Sequence, residues 1–181
     1  MAESRIPKPV AGEHDPYFST YIDRLEGENL MAELELQVGE LIELCGDLSE
    51  AEAEFRYEPD KWSIKEVLGH LIDTERVFAF RALWFARGEM VALPGFDQDE
   101  FVRQADFDQR SVESLVSEFV HLRQSTIDLL AGFREAEWGR TGISNEVSLS
   151  VRAIGYILAG HVVHHLGILE ERYLKPLRPR G

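Results

Sequence analysis

The sequence predicts an all-α fold in which four amphipathic helices form one bundle. Apolar residues recur at the three- and four-residue spacing of a helix in four separate segments. No segment shows the sustained alternation of apolar and polar residues that is typical of a half-buried strand. The 181 residues, 44% of them hydrophobic and 29% charged, suit a single globular domain with a sizeable core.

The first predicted helix runs from about Tyr21 to Leu48. Five leucines share an apolar seam with one polar residue, Gln37. They are Leu30, Leu34, Leu41, Leu44 and Leu48. The segment is strongly acidic, because ten acidic residues and no Lys or Arg lie between Leu25 and Phe55. This run predicts a solvated helix face.

The second predicted helix has the clearest boundaries. Ser63 and Glu66 have the S-x-x-E spacing of a capping box, which places the first helical residue at Ile64. The helix is expected to end near Arg87, because Gly88 follows and glycine is common just beyond a helix.

Long linkers precede the third and fourth predicted helices. Residues 88–110 are too many for a loose loop, so we expect them to pack across the bundle or to shape the mouth of a pocket. The third helix is predicted to run from about Ser111 to Phe133, and a glycine-containing linker follows it. The fourth begins near Ser148 or Ser150 and ends before Pro176.

The chain is expected to form a bundle domain at 21–175, between an irregular N-terminal segment (1–20) and a C-terminal tail (176–181). No apolar run approaches the roughly 20 residues that span a bilayer, and no signal-peptide pattern is present. We therefore expect a cytoplasmic protein without a membrane partner. A net charge of −14 disfavours nucleic-acid binding through a basic surface. Homodimerisation suits a helical bundle, but no sequence feature specifies it.

Three histidines fall in the stretch GHVVHHLGILEERY of the fourth predicted helix. On a helical wheel, His161 and His165 point into the bundle one turn apart, whereas His164 lies towards the rim. His70 on the second predicted helix borders the apolar arc and can reach the same interior.

Two histidines one turn apart can chelate a divalent metal, and an imidazole from a facing helix would complete a three-nitrogen site. Three protein ligands leave one coordination position open for chemistry. On spacing alone, the competing interpretation is a set of core histidines, each bonded to a nearby carboxylate or carbonyl.

The remaining histidines and the lone cysteine are not predicted to take part in chemistry. His14 and His121 are expected at the surface. Cys45 falls in an apolar helical pattern and is expected to be a small buried thiol. A single cysteine also excludes an intramolecular disulfide and any cysteine-rich metal site.

Longer motifs resemble the DinB-like superfamily, in particular its YfiT-type branch. In family order, they are YEPDKWSIKEVLGHLIDTERVFAFRALWFARGE, LPGFDQDEFV and VSLSVRAIGYILAGHVVHHLGILEERY. The resemblance covers about Leu25 to Tyr173 and implies a four-helix bundle of up-down-down-up connectivity. It also implies a metal site with one histidine from the second helix and two from the fourth. These are His70, His161 and His165 in this sequence.

The resemblance implies a metal-dependent enzyme that acts on a small molecule. Family members of known chemistry are similar to thiol transferases that use low-molecular-weight thiols, and others are described as hydrolases. We expect one divalent ion, with zinc or nickel favoured over iron or copper, and a thiol co-substrate. Hydrolysis, or a non-catalytic stress-related module that binds a metal or small ligand, is the alternative.

No protein nucleophile is required by this chemistry, and the sequence assigns no catalytic side chain. The H-E-x-x-H motif of zinc proteases is absent, because Val162 follows His161. Glu66 and Asp73 are candidates to orient an imidazole, although Glu66 has a competing role in the capping box.

Two charged residues interrupt apolar stripes, Glu75 on the second predicted helix and Arg123 on the third. Each would be costly to bury alone but tolerable as a pair. We predict an interhelical ion pair that fixes the register of the bundle, with a role in substrate binding as the alternative.

Overall fold

The computed structural model describes residues 6–27 and 29–178. In chain order, the helices and strands are α1 (Ser19–Ile22), α2 (Leu30–Cys45), α3 (Glu50–Ala53), α4 (Ile64–Ala86), α5 (Gln98–Ala105), α6 (Val112–Ala131), α7 (Glu135–Trp138), β1 (Thr141–Ser144), β2 (Val147–Ser150), α8 (Val151–Ile168) and α9 (Lys175–Leu177). Turns of 3-10 helix lie at Pro16–Phe18 and Phe107–Gln109, and a π-helical turn at Leu169–Leu174 joins α8 to α9. The four long helices α2, α4, α6 and α8 form the predicted four-helix bundle.

Interhelical contacts give the direction of each long helix. Glu75 pairs with Arg123, and further along both helices the Arg87 guanidinium lies over the ring of Phe133, so α4 and α6 run parallel. Such parallel neighbours need a long crossover, which residues 88–110 provide.

The outer pair, α2 and α8, also runs parallel, because Gln37 donates to the Ala159 carbonyl and the earlier Leu30 lies beside Gly155. Near the end of α8, Tyr173 donates to the carbonyl of Trp62 just before α4, so these two helices are antiparallel. The connectivity is therefore up-down-down-up, as the family resemblance implies.

Serine caps set the starts of α4, α6 and α8 where the sequence predicts them. The Ser63 hydroxyl accepts from the Glu66 amide at 3.0 Å, and the Glu66 carboxylate accepts from the Ser63 amide at 2.8 Å. This reciprocal pair confirms the capping box. Ser111 caps α6, and Ser150, rather than Ser148, caps α8.

The first predicted helix is wrong at its N-terminal end. Residues 23–27 lie outside any helix, and α2 begins only at Leu30, where the Asn29 side chain accepts from the Ala32 amide. An N-cap of this kind satisfies an amide that a continuous helix would have bonded internally. Part of the segment expected to be irregular is also ordered, as the Pro16–Phe18 turn and α1. Residues 1–5, and residues 179–181 of the expected tail, lie outside the described residues.

The hairpin formed by β1 and β2 was not predicted. Its strands have four residues each, too few for a period-two pattern to stand out. The turn residues Asn145 and Glu146 both have positive φ, 52° and 64°. This is the conformation of a type I′ turn, which usually carries glycine at its second position. Because Glu146 occupies this position, the sequence does not mark the turn.

The predicted ion pair lies at the centre of the bundle and is confirmed. Arg123 donates to both carboxylate oxygens of Glu75 at 2.8 Å, and both residues are buried. Arg123 also donates to Gln37 Oε1 at 2.6 Å, and Gln37 in turn donates to the Ala159 carbonyl at 3.0 Å. These bonds connect all four long helices. We call this set, with Gln37, Glu75 and Arg123, the polar network.

Apolar clusters lie on both sides of the polar network along the bundle. The linker at 88–110 contributes to one of them, because Phe107 is buried against α4, which confirms that this linker packs on the bundle. No helix of the described residues is long and apolar enough to cross a bilayer.

Candidate metal centre

Three imidazoles meet in the interior of the bundle, one from α4 and two from α8. His161 Nε2 lies 3.0 Å from His70 Nε2 and 3.1 Å from His165 Nε2. One ring nitrogen from each of the three residues lies within 4.8 Å of the others. The structure thus brings together the three histidines predicted from the sequence.

The helices hold these rings by ordinary backbone geometry. His161 and His165 are one turn apart on α8, so both project to the same side. The capping box fixes the start of α4, and His70 lies less than two turns beyond it. Its ring packs against Trp62, with centroids 4.8 Å apart.

Burial keeps the three rings neutral. It lowers the pKa of His70 to about 4, with a smaller effect from the nearby His164. It lowers the pKa of His165 to about 2 and that of His161 well below its usual range, and neighbouring imidazoles add to both shifts. Neutral imidazole is the form that binds a metal, so the rings offer lone pairs at neutral pH.

The arrangement of nitrogens fits a divalent cation better than it fits a set of hydrogen bonds. His161 Nε2 faces two other Nε2 atoms, and a single neutral ring nitrogen cannot bond well to both. Nitrogens about 2.1 Å from one zinc ion would lie roughly 3.0 to 3.4 Å apart, depending on the angle at the metal. Two of the three separations, 3.0 and 3.1 Å, fall at the lower end of this range, and the third is no more than 4.8 Å.

The Nδ1 atoms on the far side of the rings differ in their surroundings. The Thr74 hydroxyl lies 3.4 Å from His70 Nδ1, and by accepting from Nδ1–H it would keep the His70 Nε2 lone pair free. Within the described residues, His165 Nδ1 is buried without a hydrogen-bond partner.

Tyr21 covers the outer side of the α8 histidines. Its ring meets His161 and His164 edge-on, with centroids 5.3 and 5.4 Å away. Gly160 permits this approach, because any side chain there would overlap the backbone of Tyr21. His164 is half-buried and outside the cluster, as the helical wheel predicts.

A cavity of about 430 Å³ extends from the histidine cluster towards the hairpin. His161 and Thr74 line it at the cluster, and Phe78, Arg81 and Phe96 line it further along. Residues of the hairpin, of the linker at 88–110 and of the N-terminal segment 15–21 complete its wall. A small organic molecule would fit in a space of this size beside the cluster.

The sequence also matches the model of a known protein family. The model of the DinB superfamily matches residues 33–169, which span α2 to the end of α8. The chain belongs to the DinB superfamily. The match includes all three clustered histidines.

Comparison with solved structures shows a similar fold. The fold is similar to that of YfiT from Bacillus subtilis, with a TM-score of 0.74 and 15% sequence identity. The alignment covers 86% of this chain and 87% of YfiT. YfiT is described as a probable metal-dependent hydrolase with an unusual four-helix bundle topology. At this identity the likeness shows the fold alone. No curated protein matches the sequence significantly.

The acidic residues predicted to orient an imidazole do not do so. Glu66 bonds to Ser63 and Arg56, and Asp73 lies 3.8 Å from Arg76 on the same helix. Thr74, rather than a carboxylate, lies next to His70 Nδ1. It follows His70 by one helical turn, a spacing that could have identified it.

The residues not expected to take part in chemistry lie away from the histidine cluster. Cys45 is fully buried among apolar side chains, and burial raises the pKa of its thiol to about 12. His121 is exposed. His14 is half-buried rather than exposed, with its Nδ1 2.9 Å from the Asp15 carbonyl.

Proposed function

We propose that this protein is a metal-dependent enzyme in which His70, His161 and His165 bind one divalent ion. The observation that carries the proposal is the convergence of three neutral Nε2 atoms beside a cavity. Three imidazoles suit zinc or nickel, with iron and copper as alternatives. We assign no side chain a role in proton transfer.

The reaction we propose is activation of a low-molecular-weight thiol for S-transfer. When bound, a divalent cation lowers the pKa of a thiol or water that it coordinates. Among the described residues, no Asp or Glu joins the three histidines in the cluster, so no carboxylate is placed there to act as general base for a bound water. A thiol needs less help, because its pKa of about 8.5 is far below that of water.

The chain's own residues would orient and shield the thiol. Tyr21 and the buried part of the cavity wall, which includes Phe78 and Ile157, would limit access of water to the cluster. The thiolate sulfur would form a bond to an electrophilic carbon while the leaving group departs with its electron pair. The proton of the thiol would pass to solvent.

Hydrolysis is the second candidate, supported by the description of YfiT as a probable metal-dependent hydrolase. Water would then replace the thiol as the nucleophile. A non-catalytic, stress-related binding module is less well supported, because the cavity reaches the histidine cluster and leaves room for a substrate.

Other proposed properties follow from charge and chemistry. The net charge of −14 supports a small-molecule substrate over a nucleic acid. A cytoplasmic location suits a reaction of free thiols, which are kept reduced there. Homodimerisation stays a prediction.

The test is a turnover assay on metal-loaded protein. Cysteine, glutathione or bacillithiol is supplied with 1-chloro-2,4-dinitrobenzene, whose chloride is the leaving group, and p-nitrophenyl acetate without thiol tests hydrolysis. We expect thiol conjugation that requires the metal, is lost in His161→Ala and is retained in the matched control His164→Ala. Hydrolysis without thiol would favour the second candidate. Equal turnover in His161→Ala and the wild type would overturn both.

A further inference from the structure

Arg81 is a buried cation in the wall of the cavity. It is 5% exposed, and its Nη2 donates to the Pro94 carbonyl at 3.1 Å. The guanidinium carbon lies 4.8 Å from the Phe78 ring centroid and 5.7 Å from that of Phe96. Within the described residues, no carboxylate forms an ion pair with it.

Arg123 is also a buried arginine, but it has more hydrogen-bond acceptors than Arg81. Both guanidinium groups are buried on the long helices, but Arg123 has the Glu75 carboxylate and the Gln37 amide as acceptors. In the part of the chain that the structure describes, Arg81 has one carbonyl acceptor for its five N–H donors. Leaving a buried charge without a counter-charge is costly, so an anion at this position would relieve a substantial penalty.

A second unsatisfied polar group lines the same cavity. Ser144, at the end of β1, is 1% exposed, and its hydroxyl has no hydrogen-bond partner within the described part of the chain. Buried hydroxyl groups are normally bonded. Arg81 and Ser144 come from different elements, so they are independent observations that point to one ligand.

We propose that the cavity binds a small organic carboxylate, with Arg81 as its counter-charge and Ser144 as a second donor. The proposed carboxylate site names a substrate class for the proposed enzyme. It rests on the proposed function only where it calls the ligand a substrate. The planar guanidinium matches the two oxygens of a carboxylate. A monoanion suits the site better than phosphate, because Asp15 also lines the cavity and the chain is strongly acidic.

The spacing along α4 sets the length of the ligand. Thr74 lies beside His70, and Arg81 lies seven residues further on, about 10 Å along the helix axis. The substrate should therefore carry its carboxylate on the order of 10 Å from the end that reaches Thr74, and the probes below span this length. Aromatic rings between these points suit an apolar middle.

Calorimetric titration of the chelator-treated, metal-free full chain tests the proposal. Removing metal excludes coordination of the carboxylate by an ion. The probes are ω-phenylalkanoates from 3-phenylpropionate to 8-phenyloctanoate, each with its matching primary amide, and inorganic phosphate. We expect the best acid to bind on the order of tenfold more tightly than its amide. Arg81→Gln should remove this preference, whereas Arg76→Gln, a half-exposed arginine on the same helix, should keep it.

Several results would overturn the carboxylate site. These are equal binding of acid and amide by the wild type, no acid binding tighter than about 1 mM, and a preference that survives in Arg81→Gln. Phosphate binding as tightly as the best acid would show a general anion site. The comparison of acid with amide on the wild type does not depend on the stability of a variant. Because no metal is present, failure here leaves the metal proposal standing, and the reverse also holds.

Discussion

Replacing Glu75 by Gln should destabilise the protein severely, because the change leaves the Arg123 charge buried without a counter-charge. Glu75 and Arg123 are 1% and 0% exposed and share two bonds of 2.8 Å. Breaking a buried pair from one side costs about 3 to 5 kcal/mol. That is a large fraction of the roughly 5 to 15 kcal/mol that holds a typical domain folded. For a chain of this size, the melting temperature should fall by roughly 6 to 20 °C.

Urea unfolding followed by far-UV circular dichroism measures this loss. The matched control is Glu118→Gln on α6, which removes partly exposed ion pairs with Arg76 and Arg110 and should cost less than about 1 kcal/mol for each. The double variant Glu75→Leu/Arg123→Met removes both charges and should recover most of the loss, apart from about 1 kcal/mol for the bond to Gln37. If Glu75→Gln costs no more than Glu118→Gln, the polar network does not secure the bundle.

Two further predictions concern acid stability and packing at α4. In metal-free protein, the pKa values of His70 (about 4) and His165 (about 2) lie below the value of about 6.5 expected in the unfolded chain, where no burial lowers them. The unfolded state therefore gains protons first as the pH falls below 6.5. The stability that is fully present above this pH should decline by about 1.4 kcal/mol per pH unit for each ring. Urea unfolding at pH 7, 6 and 5 checks this, and a flat profile would contradict neutral buried rings. Gly69→Ala should cost about 1 to 3 kcal/mol, since the added methyl group would overlap the Phe107 ring. Gly39→Ala, where the same group meets open space, should instead gain up to about 1 kcal/mol in the same urea measurement. Equal effects of the two glycine variants would contradict the packing of Phe107.

The sequence predicts best the features that local chemistry determines. The capping box at Ser63 and Glu66 marks the start of α4 by two reciprocal bonds within four residues. The pairing of Glu75 with Arg123 can be predicted because each charge lies in an apolar stripe and would be costly to bury without the other. The spacing of His161 and His165 is a property of any helix.

Other features are marked less clearly in the sequence. Asn29 caps α2, but apolar residues also occur on its N-terminal side at Ile22 and Leu25, so the break before α2 is not obvious. The hairpin turn carries Glu146 where glycine is usual. The cavity is assembled from distant segments, namely the N-terminal segment 15–21, α4, α8, the hairpin and the linker at 88–110, so no single stretch reveals the buried Arg81.

Metal analysis of the full chain, purified without an affinity tag, tests whether the three clustered histidines bind an ion. We expect about one divalent ion per chain in the wild type and in His164→Ala, and a severe loss in His161→Ala. The two variants differ only in the face of α8 from which an imidazole ring is removed. Wild-type protein that holds no ion after incubation with zinc or nickel, or equal losses in the two variants, would contradict a metal centre formed by His70, His161 and His165.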